Sequence, residues 1–254
     1  MAFKAETCVA HHIGDRKEQQ DRVGLFAHPA RSGVMLAVLA DGMGGLRGGA
    51  IAAEQVVIKG KQNLEAFVPA EETPERLLGS VMEEAHTVIR LSRFTSEQEP
   101  HSTAVALLIQ SDRATWAHCG DSRLYHFRGQ GLLAVTPDHS LVGQLLREGS
   151  INAAEALRHP KRNLLLSCLG GEREPVITFG RCADLVAGDS FLLCSDGLWA
   201  YFSDDELAAI LARHSAREAA EMLVRLARER ARGGGDNISL AIVKLVEPPR
   251  PRSF

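Results

Sequence analysis

No apolar run in these 254 residues approaches the ~20 needed to cross a bilayer as a helix. The start of the chain lacks the apolar stretch of a secretory leader, because Glu6 and then His11-His12 interrupt it. Basic residues form no stripe, and 29 of them against 32 acidic ones leave a net charge of −3, so nucleic acid is not an expected partner. No Cys-x-x-Cys pair occurs; the five cysteines, at 8, 119, 168, 182 and 194, are an odd and scattered set. Most lie in apolar runs, which reads as buried small hydrophobes in a reducing compartment. The expectation is a cytoplasmic, monomeric chain that uses neither thiol chemistry nor a membrane.

Several catalytic signatures are also missing. Gly-x-x-x-x-Gly-Lys-Ser/Thr is absent, which excludes a P-loop. The loop at Gly42 fails the dinucleotide fingerprint because Arg47 stands where its third glycine belongs, and Asp41 would repel a pyrophosphate. There is no Gly-x-Ser-x-Gly elbow and no His-Glu-x-x-His zinc helix. A cysteine phosphatase needs Cys-x-x-x-x-x-Arg, and the spacings Cys119 to Arg123 and Cys168 to Arg173 are both too short.

What the chain does have is four aspartates where apolar strands meet turns. They lie in Val38-Leu39-Ala40-Asp41-Gly42, Ala117-His118-Cys119-Gly120-Asp121, Leu192-Leu193-Cys194-Ser195-Asp196-Gly197 and Gly235-Asp236-Asn237-Ile238. An ionised carboxylate at the edge of a core is costly unless a cation answers it. No lysine or arginine adjoins Asp41, Asp196 or Asp236 in the sequence, and Arg123 is the one local partner for Asp121. Converging carboxylates call for hard cations, because Mg²⁺ and Mn²⁺ prefer oxygen. Each segment also has a plain reading: a tight turn at Asp41-Gly42, a β-turn closed by Arg123 on Asp121, a flexible turn at Asp236-Asn237. The recurrence of strand, carboxylate and small residue favours a metal site. Arg16, five residues before Asp21, is either part of a charged surface loop or a planar fork for phosphate.

Short apolar or β-branched runs predict strands at Thr7–His11, Val23–Ala27, Val34–Ala40, Thr103–Ile109, Thr115–His118, Leu124–Phe127, Leu132–Val135, Val176–Gly180, Phe191–Cys194 and Ile238–Leu245. Thr73-Pro74 starts a helix whose apolar face is Leu78, Val81, Met82, Ala85, Val88 and Ile89. Ser203…Glu206 and Ser215…Glu218 read as capping boxes of an antiparallel helical pair. Further helices are expected over Gly49–Leu64 and His139–Arg147, with Asp138 as the cap of the second. Blocks of strands separated by paired helices predict an α+β fold with two antiparallel sheets packed together and helices outside. The tail at 248–254 is expected to be disordered.

In order, Arg16…Gln20-Asp21, Asp41-Gly42-Met43-Gly44-Gly45, Ser102-Thr103-Ala104, Gly120-Asp121-Ser122-Arg123, Thr136-x-Asp138-His139-Ser140, Leu169-Gly170, Ser195-Asp196-Gly197 and Asp236-Asn237-Ile238-Ser239 resemble the motifs of the metal-dependent (PPM, type 2C) serine/threonine protein phosphatases. The match runs from about residue 5 to 245, and Met43 and the compact length resemble the bacterial branch. The resemblance implies one domain over 1–247: a β-sandwich of two antiparallel sheets flanked on both sides by pairs of antiparallel helices, with a flap insert at about 141–175. It implies two Mn²⁺ or Mg²⁺ ions with a third beyond them. Asp41 would bridge the pair, the Gly42 carbonyl would join one ion, and Asp196 and Asp236 would complete the other. Asp21 would stand in or just behind the ligand shell, and Asp121 would bind the third ion. Arg16 would hold the substrate phosphate.

The implied reaction is attack by a metal-activated water on phosphoserine or phosphothreonine in proteins, opposing a serine/threonine kinase. Three positions depart from the family pattern. Gln20 stands where many members have glutamate, which loosens one ion. Met43 replaces a histidine, so the leaving oxygen takes its proton from metal-bound water or another group. His101 precedes Ser102-Thr103 where glycine is common. The rival readings are a catalytically weak phosphoprotein-binding relative and a hydrolase of small phosphate esters.

Overall fold

Residues 3–44, 48–94 and 99–248 are described by a computed structural model. Gly45, Leu46 and Arg47 of the glycine-rich loop, and the expected tail from residue 249 onward, lie outside these residues. The chain begins with β1 (Lys4–His12), β2 (Arg22–Ala27), β3 (Val34–Ala40) and the short β4 (Gly42–Met43), then α1 (Gly48–Ala66) and α2 (Pro74–Ser92). β5 (His101–Ser102), β6 (Ala104–Gln110), β7 (Arg113–Cys119), β8 (Arg123–Arg128) and β9 (Gly131–Val135) follow. α3 (Leu141–Arg147) and α4 (Ala153–Arg158) precede β10 (Thr178–Cys182) and β11 (Asp189–Cys194). The last elements are α5 (Asp196–Trp199), α6 (Asp204–Arg213), α7 (Ala216–Ala231) and β12 (Ile238–Val246).

Two antiparallel sheets result, ordered β1-β12-β11-β8-β9 and β10-β7-β6-β3-β2, with a separate β4-β5 ribbon. Their central strands are apolar on both faces, as strands covered on both sides must be. In β3, Leu36 and Val38 face α1 and α2, where they join Val56, Leu78, Val81 and Met82. The alternate residues Ala37 and Leu39 face the other sheet and meet Val105, Leu107, Leu193, Ala241 and Val243. On the far side, Leu192, Leu240 and Ile242 pack under Leu207, Leu211 and Leu223 of α6 and α7. Three apolar interfaces thus bind four layers, helices on sheet on sheet on helices. Each fully buried leucine contributes about 2 kcal/mol.

The helix starts follow the sequence signals. Thr73 Oγ1 accepts from Arg76 N at 3.2 Å, and both expected capping boxes form at Ser203 and Ser215. One expected start moves. α3 begins at Leu141 and is capped by Ser140, whose Oγ accepts from Gly143 N at 3.0 Å. Asp138 does not cap it, because both its carboxylate oxygens are engaged by Arg123 at 2.8 Å. The cysteines are all free, but only Cys119 and Cys194 are buried; Cys8, Cys168 and Cys182 are half-buried. Burial raises all five thiol pKa values, so none is an activated nucleophile. Among the described residues no helix is long and apolar enough to cross a membrane.

Leu193 is fully buried between the sheets. Leu193→Ala is expected to lower stability by about 3 kcal/mol. The check is a shifted urea midpoint with an unchanged slope.

Candidate metal centre

Strand register gathers five carboxylates at one end of the sandwich. Asp21 precedes β2 and Asp41 follows β3, and the pair Arg22↔Ala40 sets them side by side. Asp196 follows β11 and Asp236 precedes β12, with Cys194↔Leu240 bringing both to the same end. Asp121 lies just past Cys119, which pairs with Ala104. Thr103, next to Ala104, links Asp121's strand to Asp41: its N donates to Asp41 O at 2.9 Å and its Oγ1 accepts from Asp41 N at 3.0 Å. Packing of β12 and β11 on β3 then joins the two halves.

The electrostatics report the crowding. Burial, and then the charges of Asp21, Asp196, Asp121 and Asp236, push the Asp41 carboxyl well above its ordinary value. Burial raises Asp21 to about 7, against the hydrogen bond from Ser195 and with Asp196 adding to the rise. Burial followed by Asp196 and Asp138 raises Asp121 to about 7. Burial and Asp236 raise Asp196 to about 6.

Local contacts fix each group. Ser195 Oγ donates to Asp21 Oδ2 at 2.7 Å and accepts from Ser239 N at 3.0 Å. Asp21 is only 3% exposed, and its Oδ1 is buried without a hydrogen-bond partner. The cation missing near Asp236 in sequence arrives from the other end of the chain, since Arg16 Nη2 donates to Asp236 Oδ2 at 2.5 Å. Arg16 remains 61% exposed on its side chain, so it sits both in a surface loop and at the cluster. Two glycines permit close backbone approach: a Cβ on Gly42 would lie 2.0 Å from Gly49 O, and one on Gly197 would lie 2.0 Å from Asn237 O. Arg123 does not close a turn on Asp121. It grips Asp138 and lies 3.6 Å over the Trp199 ring, while Trp199 Nε1 donates to Asp121 O at 3.0 Å.

A family model described as Protein phosphatase 2C matches residues 9–233. The chain belongs to the protein phosphatase 2C family. It is 33% identical over 235 residues to protein phosphatase PhpP of Streptococcus pneumoniae, covering 91% of this chain and 94% of that one. The solved serine/threonine phosphatase of S. agalactiae superposes with a TM-score of 0.85 at 32% identity, covering 96% of this chain and all of that one. The catalytic domain of the serine/threonine protein phosphatase PstP, solved with 2 manganese ions, gives a TM-score of 0.79 at 29% identity over 96% of this chain and 99% of that one. These neighbours share the α+β fold of two antiparallel sheets and outer helices.

Among the described residues of this phosphatase 2C chain, no three His, Cys, Asp or Glu side chains close into a ready-made ion cage. The donor chemistry nevertheless fits a hard divalent ion. Every acidic side chain in the cluster is an aspartate, Asp21 Oδ1 is buried without a hydrogen-bond partner, and the raised pKa values of Asp21, Asp41, Asp121 and Asp196 report crowded negative charge that an ion would answer. The residues that could hold ions are Asp21, Asp41, Asp121, Asp196 and Asp236, with the Gly42 carbonyl beside Asp41. The sequence reading missed the supporting neutral groups. Ser195, Thr103, Trp199 and Asn237 stand inside or beside the quoted motifs, but nothing in their spacing says which carboxylate each one holds.

The pH dependence has a definite sign. The folded pKa values of Asp196, Asp21 and Asp121, about 6 to 7, lie above the ordinary 3.8. Their stabilising contribution is therefore complete below about pH 3.8 and is lost as pH rises through 6 to 7. In EDTA, Asp21→Asn is expected to raise the thermal midpoint at about pH 7.5 and to change it little at about pH 5. A drop in the midpoint at the higher pH would count against the crowding.

Proposed function

We propose that the chain is a metal-dependent phosphatase of phosphoserine and phosphothreonine in proteins, cytoplasmic and monomeric, opposing a serine/threonine kinase. The observation that carries this reading is the convergence of four strand-end carboxylates on a fifth, Asp41, in a chain of the phosphatase 2C family. Asp41 and the Gly42 carbonyl would hold one Mn²⁺ or Mg²⁺ ion, Asp41 with Asp196 and Asp236 a second, and Asp121 a third. Such ions supply Lewis acidity and a water acidified toward neutral pH.

The protein's own groups do the rest. Ser195 occupies Asp21 Oδ2 and leaves Oδ1, buried without a hydrogen-bond partner, as the oxygen open to an ion. Arg16, exposed beside Asp236, offers its fork to the phosphoryl oxygens and orients the phosphate at the rim of the cluster. The segment 141–175 is read as a flap on a domain spanning 1–247. Its anchors support this: Leu166 N donates to His139 O at 2.8 Å, and Leu169 bridges Ser102, whose Oγ donates to Asp41 O at 3.1 Å. The later part of the insert is thus tied, through Ser102, to the backbone of Asp41.

Phosphate release from a phosphothreonine peptide is expected with Mn²⁺, none with EDTA, and a loss of at least about 100-fold in kcat for Asp196→Asn. Tight peptide binding without turnover would point to a binding module, and preference for a small sugar phosphate to a small-ester hydrolase. Arg16→Ala is expected to raise KM about tenfold while manganese binding, measured calorimetrically, persists. Unchanged KM would remove Arg16 from phosphate binding.

A further inference from the structure

Arg16 is read above as the group that orients the substrate phosphate, and its side chain is exposed at the rim of the cluster. A guanidinium in that role is sensitive to every carboxylate near it, since each can pair with it or repel a phosphate dianion. Asp236 already touches it. Asp15, beside Arg16 in sequence, brings a second carboxylate into the same loop.

Both oxygens of Asp15 are engaged elsewhere. Arg228 Nη2 donates to Oδ1 at 2.9 Å, Arg228 Nη1 lies 2.8 Å from Oδ2, and Gly235 N donates to Oδ2 at 2.7 Å. Asp15 N also donates to Gly235 O at 2.9 Å, so backbone and side chain grip one residue at two points. That residue immediately precedes Asp236. The loop also lies close against Asp236 itself, for a Cβ on Gly14 would stand 1.9 Å from Asp236 O. These contacts hold Asp15, Arg16 and Asp236 in one arrangement.

Arg228 differs from the other paired arginines of its helix. α7 pairs Arg217 with Glu221 and Arg225 with Glu229 one turn apart, and sends Arg230 to Glu206 of α6. Arg228 instead reaches a residue 213 positions away, in the loop that carries Arg16. The two side chains are only 29% and 26% exposed, so solvent screens their pairing less than it screens the exposed pairs along the helix.

We infer that Asp15 and Arg228 are a positioning pair for phosphate binding. Arg228 neutralises the carboxylate that adjoins Arg16 in sequence, and Asp15 holds Arg16 against Asp236 by its grip on Gly235. The inference rests on the phosphatase reading and on the role given there to Arg16. Without Arg228, the Asp15 carboxylate becomes an unanswered anion beside the phosphate and an alternative partner for Arg16. Neither member of the pair touches the substrate; both act through Arg16.

The test is steady-state kinetics on a phosphothreonine peptide with Mn²⁺. Arg228→Met is expected to raise KM about fivefold and the Ki of inorganic phosphate by the same factor, with kcat within about twofold. Arg228→Gln carries the same expectation. Manganese binding, measured calorimetrically, is expected to be unaltered in both. Arg228→Lys keeps the charge and is expected to hold KM within about twofold. Asp15→Asn added to Arg228→Met removes the stranded charge, while its amide oxygen can still accept from Gly235 N. That double variant is expected to bring KM back to within about twofold of the unaltered chain. On an Arg16→Ala background, Arg228→Met is expected to add nothing to KM. An unchanged KM in Arg228→Met overturns the pair. So does a rise that persists with Asp15→Asn or without Arg16, and in each case the phosphatase reading stands. Failure of the unaltered chain to release phosphate from the peptide overturns that reading and this inference with it.

Discussion

Mutual repulsion among carboxylates held in a low-dielectric corner is the constraint on which the structure turns. Two like charges about 6 Å apart repel by roughly 3 kcal/mol at an effective dielectric of about 20. Asp41 feels four such neighbours. Arg16 on Asp236 and Ser195 on Asp21 offset only part of this, so the remainder of the fold must hold the groups together against their own field. Three apolar interfaces supply that hold, and they do so through strands whose ends are the site. The layers are thus the means by which residues as distant as Asp21 and Asp236 are kept at one point.

Neutral hydrogen-bonding side chains then set orientation without adding charge. Asn237 shows how. Its Nδ2 donates to Ile13 O at 2.8 Å and Glu18 O at 2.9 Å, and its Oδ1 accepts from Gln20 N at 2.8 Å. One amide therefore pins the loop carrying Arg16 and Asp21 to the residue that follows Asp236. Asp15 closes the same loop from the other side, accepting from Gly235 N at 2.7 Å and from Arg228 at 2.9 Å. The Arg16–Asp236 pair is the product of these staples. The cation that answers Asp236 is thus supplied by a loop 220 residues away in sequence.

Much of this was legible from the residues. Val34–Ala40 is a strand with the expected bounds, and the boxes at Ser203 and Ser215 form because a hydroxyl and a carboxylate three residues apart satisfy each other locally. Such features depend on near neighbours, which a sequence displays. The clustering of aspartates could be suspected from their repeated setting at strand ends, but pairing register decides it. Where local reading failed, a distant partner had won. Arg123 stands two residues from Asp121 yet grips Asp138, because Trp199 offers its ring as a platform and Tyr125 Oη accepts from Nη1 at 3.0 Å. Asp138, taken by that arginine, left the capping of α3 to Ser140. Nothing in the spacing of these residues announces the exchange.

The departures from the family pattern read coherently in the same terms. Gln20 puts a neutral amide next to Asp21, where a glutamate would bring a further negative charge. Met43 leaves β4 without an ionisable side chain, and the residue paired with it across the ribbon is His101, whose Nδ1 lies 2.9 Å from Glu99 O. Position on a pleated surface, more than position in a motif, decides which side chain can reach a reacting bond.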